Sequence, residues 1–274
     1  MPLNTTSIQK GEGAFIYNQY APLANKPLEV FYYAPQKDLT SLNIVIVMTG
    51  INRNADEYRD FWIPLADQYN LLIIAPLFST EFYPDSRSYN LGNIMDEDEQ
   101  FIPEEKWSFS IIDPLFEDIK NITQNIHSKY YIFGHSAGAQ FVHRFLIFKQ
   151  SDNIKAAITA NAGWYTVPDT EIDFPYGLNK SPVNVLNSIS FFDQNLLVLL
   201  GEDDNDPESP NLRHTPETEL QGPHRFARGF HFFEESQNIA QSLNRPFNWN
   251  IETVPNVDHD AEQMSIACAR LLFD

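Results

Sequence analysis

The sequence predicts an α/β protein built on a mostly parallel central sheet of about eight strands, with helices on both faces and loop insertions. Three observations carry this. Short apolar or β-branched runs alternate with longer amphipathic ones along the chain. One junction, Lys129 through Gly138, compresses a strand, a sharp turn and the start of a helix into one stretch. Two segments, about 78–107 and 166–193, lose all periodicity just after a strand, where a parallel sheet carries its ligand site.

Residues 14–17 and 28–33 are the first two strands, joined through Pro22 and Pro27. Aromatic and β-branched residues dominate both, which suits an antiparallel hairpin. Residues 43–48 form a continuous apolar run, typical of a strand buried on both faces. That run ends in Thr49-Gly50-Ile51-Asn52-Arg53-Asn54. A helix is predicted over 55–69 with Asn54 as its N-cap. Residues 71–75 are another buried strand, stopped by Pro76.

From 78 to about 107, Pro84, Gly92 and Pro103 punctuate the chain. A loop of this length in a compact domain is usually functional. Its aromatics Phe82, Tyr83, Tyr89 and Phe101 point to packing on the fold, and Asp96-Glu97-Asp98-Glu99 reads as a solvated face. A helix over 108–128, a strand over 130–133, a helix over 137–149 and a strand over 154–160 follow. Residues 166–193 are irregular, with Pro168, Pro175, Gly177 and Pro182. The strand 196–200 leads into Gly201-Glu202-Asp203-Asp204-Asn205-Asp206 and an acidic loop. A helix over 223–243, a strand over 247–254 and a helix over 260–273 complete the chain. With no repeat and no linker, the expectation is one domain over 1–274, its two insertions covering the site.

The junction at Gly134-His135-Ser136-Ala137-Gly138 has the form Gly-x-Ser-x-Gly between a β-rich run and an amphipathic one. That context marks a nucleophile elbow, where a strained turn lifts a serine hydroxyl off the sheet edge. Glycines two residues either side fit, because a Cβ there would collide with the neighbouring strand or helix. The helix that follows points its free N–H groups at negative charge forming on the serine's target.

A serine hydroxyl attacks only if a base takes its proton, and the base is normally a histidine oriented by a carboxylate. On such a turn the acid follows the serine in sequence and the histidine comes last. Asp204, three residues after the strand-ending Gly201, is the expected acid, with Asp206 and then Asp203 as alternatives. A calcium loop from Asp204, Asp206 and Glu208 lacks the glycine and closing glutamate of an EF-hand. Of seven histidines, His259 alone follows the last strand, and it is the expected base. His135 lies inside the elbow. His127 and His143 fall on predicted helices, and His214, His224 and His231 flank the acidic loop and the helix after it.

The 274 residues can bury a sizeable core, and a formal charge of −19 repels phosphate backbones and anionic lipid. Nucleic acid and membrane are therefore not expected partners. Neutral or cationic small-molecule or oligomeric substrates are, for a monomer or homodimer. Cys268 is the only cysteine and lies in an apolar run, so it reads as a core thiol and no internal disulfide forms. The start, Met1-Pro2-Leu3-Asn4-Thr5-Thr6-Ser7, lacks a basic region followed by an apolar one. A cytoplasmic protein is the expectation, with a secreted mature form as the alternative.

Together these residues resemble the α/β-hydrolase superfamily over nearly the whole chain. Gly134 through Gly138, with Gly50-Ile51-Asn52-Arg53-Asn54 ahead and Gly163-Trp164-Tyr165 behind, are most similar to the poly(3-hydroxybutyrate) depolymerase and feruloyl-esterase-like branch. The resemblance implies serine carboxylesterase chemistry, with Ser136, Asp204 and His259 as the catalytic residues and no cofactor or metal. It places the oxyanion donors at the N–H groups of Ala137 and Ile51. Many relatives have His-Gly where this chain has Thr49-Gly50, which keeps the backbone donor and removes a histidine side chain. Gly50, Asn52, His135, Trp164 and Tyr165 are the candidates for contacting substrate. Trp107, Trp164, Tyr165 and Phe174 raise the expectation of an aromatic ester. A peptidase or acyltransferase would share the same three residues, and a silent binding protein on this fold is the reading from another class.

Overall fold

The computed structural model describes residues 7–182 and 189–274. Residues 1–6, on which the reading of the N-terminus rests, and 183–188 of the second insertion lie outside them. The sheet has eight strands: β1 (Gly11–Tyr17), β2 (Leu28–Ala34), β3 (Asn43–Met48), β4 (Leu71–Leu77), β5 (Tyr130–His135), β6 (Ile154–Ala160), β7 (Leu196–Gly201) and β8 (Trp249–Val254). Their order is β1-β2-β4-β3-β5-β6-β7-β8. β2 pairs antiparallel with both β1 and β4, and every later pairing is parallel.

The continuous apolar runs are explained by helices on both faces. A strand turns successive side chains to opposite faces, so β3 sends Ile44, Ile46 and Met48 into one core and Val45 and Val47 into the other. β5 divides Tyr130 and Ile132 from Tyr131 and Phe133 in the same way. The first core is closed by α3 (Ile112–Thr123), α4 (Ala137–Lys149) and α6 (Arg225–Ser242). The second is closed by α1 (Ala55–Phe61), α2 (Ile63–Tyr69) and α7 (Ala261–Phe273), and holds the buried thiol of Cys268.

The structure differs from the sequence reading at several places. The helix expected over 55–69 is two helices broken at Trp62, because Pro64 enters the first turn of α2 and cannot continue the preceding hydrogen-bond ladder. Asn54 precedes α1, but its side chain caps nothing and bonds Glu57 instead. Pro76 does not stop β4, which runs on to Leu77. The ladder to β3 ends at Ile74, so Pro76 pairs only with Val30 of β2 and its missing N–H faces no parallel neighbour. The helix expected over 108–128 is a 3₁₀ turn, Ser108–Ile111, followed by α3, which Gln124 ends in a left-handed conformation (φ 53°). The acidic loop contains a short helix, α5 (Pro216–Gln221), capped by Thr215. The helix and strand after it start later than expected, at Arg225 and Trp249.

Among the described residues, no helix is long and apolar enough to cross a membrane. The first insertion folds back onto the sheet edge. Tyr89, fully buried, donates its hydroxyl to the Thr49 carbonyl at 2.8 Å and so braces the loop after β3. The acidic run 96–99 stays at the surface, where Asp96 caps the backbone of Asp98 and Gln100.

Candidate active site

Ser136 stands between β5 and α4 with φ 57° and ψ −116°, a conformation that a residue with a side chain adopts only when its surroundings force it. The forcing groups are visible. Its N–H is held by the Ala160 carbonyl of β6 at 3.0 Å. A Cβ at Gly134 would lie 2.2 Å from the Gly138 carbonyl oxygen, and one at Gly138 would lie 2.1 Å from that of Met48. Both glycines are thus required by backbone on the far side: the helix start for Gly134, β3 for Gly138.

The Oγ of Ser136 is 2.9 Å from Nε2 of His259, and Nδ1 of His259 is 2.7 Å from Oδ2 of Asp204. These residues come from three loops, after β5, β7 and β8. Asp204 is buried and its other oxygen, Oδ1, accepts from Nη1 of Arg225 at 3.1 Å. Arg225, itself buried at the start of α6, also donates to Ser209 Oγ and the Pro210 carbonyl. The alternatives Asp203 and Asp206 are exposed, and Asp206 spends a carboxylate oxygen on the Glu208 amide.

One amide joins the loops. Asn161, at the end of β6 with φ 50°, donates Nδ2 to the Asp258 carbonyl and accepts the Gly201 N–H on Oδ1, each at 2.8 Å. It thereby ties the loop carrying His259 to the strand end before Asp204. The Asp203 N–H adds a direct link to the Val257 carbonyl at 2.9 Å. Gly201 permits the approach, since a Cβ there would meet the Val257 oxygen at 2.5 Å.

His135 is buried beneath this assembly, its ring centroid 4.5 Å from that of His259. Burial, then the neighbouring His259 and Arg225, hold its pKa well below the ordinary histidine value, so it stays neutral. Its Nδ1 is 2.9 Å from the Tyr58 hydroxyl, and its buried Nε2 has no hydrogen-bond partner among the described residues. Burial raises the Tyr58 pKa, so the phenol keeps its proton. The same hydroxyl abuts Gly50, where a Cβ would come within 2.9 Å of it. Tyr58 therefore links the elbow to the loop after β3.

A cavity of about 510 Å³ opens over Ser136. Gly50, Ile51, Asn52, His135, Ala137 and Trp164 all line it. The backbone N–H groups of Ile51 and Ala137 donate to no other described residue. Tyr165 is not at the cavity: it is fully buried, stacked on Phe232 at 4.5 Å, with its N–H and C=O both tied to Gln221. Trp164 and Tyr165 are neighbours in the chain and face apart. Trp107 and Phe174 pack on Phe148, in the last turn of α4, and do not line the cavity. Of the other histidines, His143 is buried in α4, His224 caps α6, His214 faces Glu219 at the surface, His231 lies on α6, and His127 bonds the Ser41 carbonyl beyond the end of α3. Arg225, Tyr58 and Asn161 have no local sequence signal, since each acts across a long stretch of chain.

No protein-family model matches the chain, nor does any curated protein. Solved structures do. Poly(aspartic acid) hydrolase-1 from Sphingomonas sp. KT-1 superposes with a TM-score of 0.94 at 38% identity, covering 97% of this chain and 100% of the other. The poly(3-hydroxybutyrate) depolymerase LpqC from Bordetella parapertussis gives 0.92 at 35% identity, covering 97% and 91%. This chain belongs to the poly(3-hydroxybutyrate) depolymerase and esterase-like branch of the α/β-hydrolases. An S-formylglutathione hydrolase from Agrobacterium tumefaciens shares the α/β-hydrolase fold at 14% identity and a TM-score of 0.60. As a member of this branch, the α/β-hydrolase described here is a carboxylesterase-type hydrolase.

Proposed function

We propose that this α/β-hydrolase cleaves carboxylic esters through an acyl-enzyme on Ser136. The observation that carries this is the unbroken chain from Ser136 Oγ through His259 to the buried Asp204. His259 takes the Ser136 proton at Nε2 as Oγ attacks the ester carbonyl. Asp204, itself oriented by Arg225, holds the proton on Nδ1 and stabilises the imidazolium that forms. The N–H groups of Ala137 and Ile51, free of other partners, receive the oxyanion, helped by the positive end of α4. His259 returns the proton to the leaving alcohol, and water activated by the same histidine releases the acid.

A second reading, amide cleavage with the same residues, is favoured by one observation: the 38% identical structure is named for poly(aspartic acid), an amide-linked polymer. The 35% identical one is named for a polyester. A silent binding protein would have no use for three aligned hydrogen-bonding groups on three loops. The test has two parts. A fluorophosphonate probe should label the native protein and not Ser136→Ala, and a panel of matched esters and amides should be turned over with ester preference. Equal labelling of both proteins would sink the reading, and amide preference would replace it with the second.

A further inference from the structure

We propose that the cavity holds a carboxylate subsite, built from Arg213 and Trp164 with Arg144 behind them, so that the substrate carries a free carboxylate near its scissile bond. This rests on the hydrolase reading above. Two guanidinium groups stand over the Trp164 indole, Arg144 at 4.2 Å and Arg213 at 5.0 Å from its centroid. Arg213 is exposed, lines the cavity that holds Ser136, and lies 5.5 Å from the Tyr176 ring. Arg144 is fully buried, and all its hydrogen-bond partners are neutral: Thr166 Oγ1, the carbonyls of Asn90 and Gln140, and the Gln140 side chain. Its Nη2 has no partner among the described residues.

Among the described residues no carboxylate comes within ion-pairing distance of either arginine. Glu217 feels the charge of Arg213 without pairing with it. A buried guanidinium without a counter-charge is costly, and a second cation nearby adds to the cost. The strain registers on Arg144, whose pKa is driven well down by burial and then by Arg213. An anion beside Arg213 relieves both. The planar fork of a guanidinium matches a carboxylate with two parallel hydrogen bonds, while the charge of Arg144 acts through the weakly screening interior. The chain's charge of −19 argues for neutral or cationic ligands, but the field inside a cleft follows its own walls. Of the lining residues, Glu57 is the one carboxylate, and it is engaged by Asn54.

The test uses two substrate pairs. One is the 3-hydroxybutyrate dimer with a free terminal carboxylate, against the same dimer capped as a primary amide. The other is ethyl hydrogen succinate against ethyl succinamate. In at least one pair the acid should be preferred in kcat/KM, and Arg213→Gln should lower the acid-to-amide ratio by about ten-fold or more, as expected for a lost charge-assisted bond. A ratio near one in both pairs, or one that Arg213→Gln leaves in place, overturns the subsite. If no ester of either pair is cleaved and no fluorophosphonate labels Ser136, the hydrolase reading has failed. The subsite is then read by calorimetric titration of succinate into the native protein and Arg213→Gln. Weaker binding by the variant supports it, and equal or absent binding overturns it.

Discussion

Acid should unfold this protein earlier than its carboxylates require, because two histidines are locked neutral inside it. His143 is fully buried in α4. Its Nδ1 sits 2.9 Å from the Ala139 carbonyl, so that nitrogen carries the proton, and its Nε2 accepts the Thr166 N–H at 3.0 Å. A second proton has nowhere to go without breaking the Thr166 bond. Burial, and then the charge of Arg144, drives its pKa well below the usual value. His135 is held down in the same direction by burial and by His259 and Arg225. In the unfolded chain both titrate near 6.5. The unfolded state therefore binds more protons below that pH, and stability falls as pH falls, down to the folded pKa values. Between pH 7.0 and 5.5 each histidine removes about 1.3 kcal/mol, or about 2.5 kcal/mol together. The carboxylates held below their ordinary range, among them Asp85 and Asp173, act mostly below this window. Urea unfolding at the two pH values measures the difference directly. In His143→Gln the absolute stability will drop, but the loss between pH 7.0 and 5.5 should shrink to about half. A variant whose pH-dependent loss equals that of the native protein would refute the locked-neutral state of His143.

Asp204→Asn should lower kcat by about 10⁴-fold through the wrong His259 tautomer, with Asp203→Asn and Asp206→Asn close to native; steady-state kinetics decide, and a crippled Asp206→Asn would move the acid to that position. Gly138→Ala drives a Cβ into the backbone of Met48 at 2.1 Å, so it should cost about 3 kcal/mol or more in urea unfolding and abolish fluorophosphonate labelling. Native stability in that variant would show that the elbow can relax.

The parts of this site that the sequence discloses are those whose chemistry is local. The elbow is legible because Gly134 and Gly138 must flank Ser136 within one turn, for reasons set by Met48 and the start of α4. Asp204 and His259 are legible because each follows a strand that ends at the same sheet edge. The alternation of apolar runs revealed the strands, since a chain covered on both faces has no polar side to show. What was hidden is long-range. Arg225 reaches Asp204 from 21 residues away, Tyr58 reaches His135 across 77, and Asn161 reaches Asp258 across 97. Tyr165 was misplaced because adjacent residues in an irregular loop can face opposite ways, one to the cavity and one to α6. The break at Trp62 was written in Pro64, which is compatible with a helix start as well as with a helix end.

The placement of His259 has a consequence for how the enzyme comes into being. Its partner Ser136 lies 123 residues earlier and Asp204 lies 55 earlier. The three meet at the ends of β5, β7 and β8, where Asn161, at the end of β6, bridges the end of β7 to the loop that carries His259. Contacts of such sequence separation carry a loop-closure cost before they reward the chain, and they need the last strand in place. With His259 as the proposed base, a chain emerging from the ribosome has an unactivated Ser136 until its last strand has paired. On the mechanism proposed above, hydrolytic power is switched on by completion of the sheet, and a copy that has not yet paired its last strand should leave the esters around it intact.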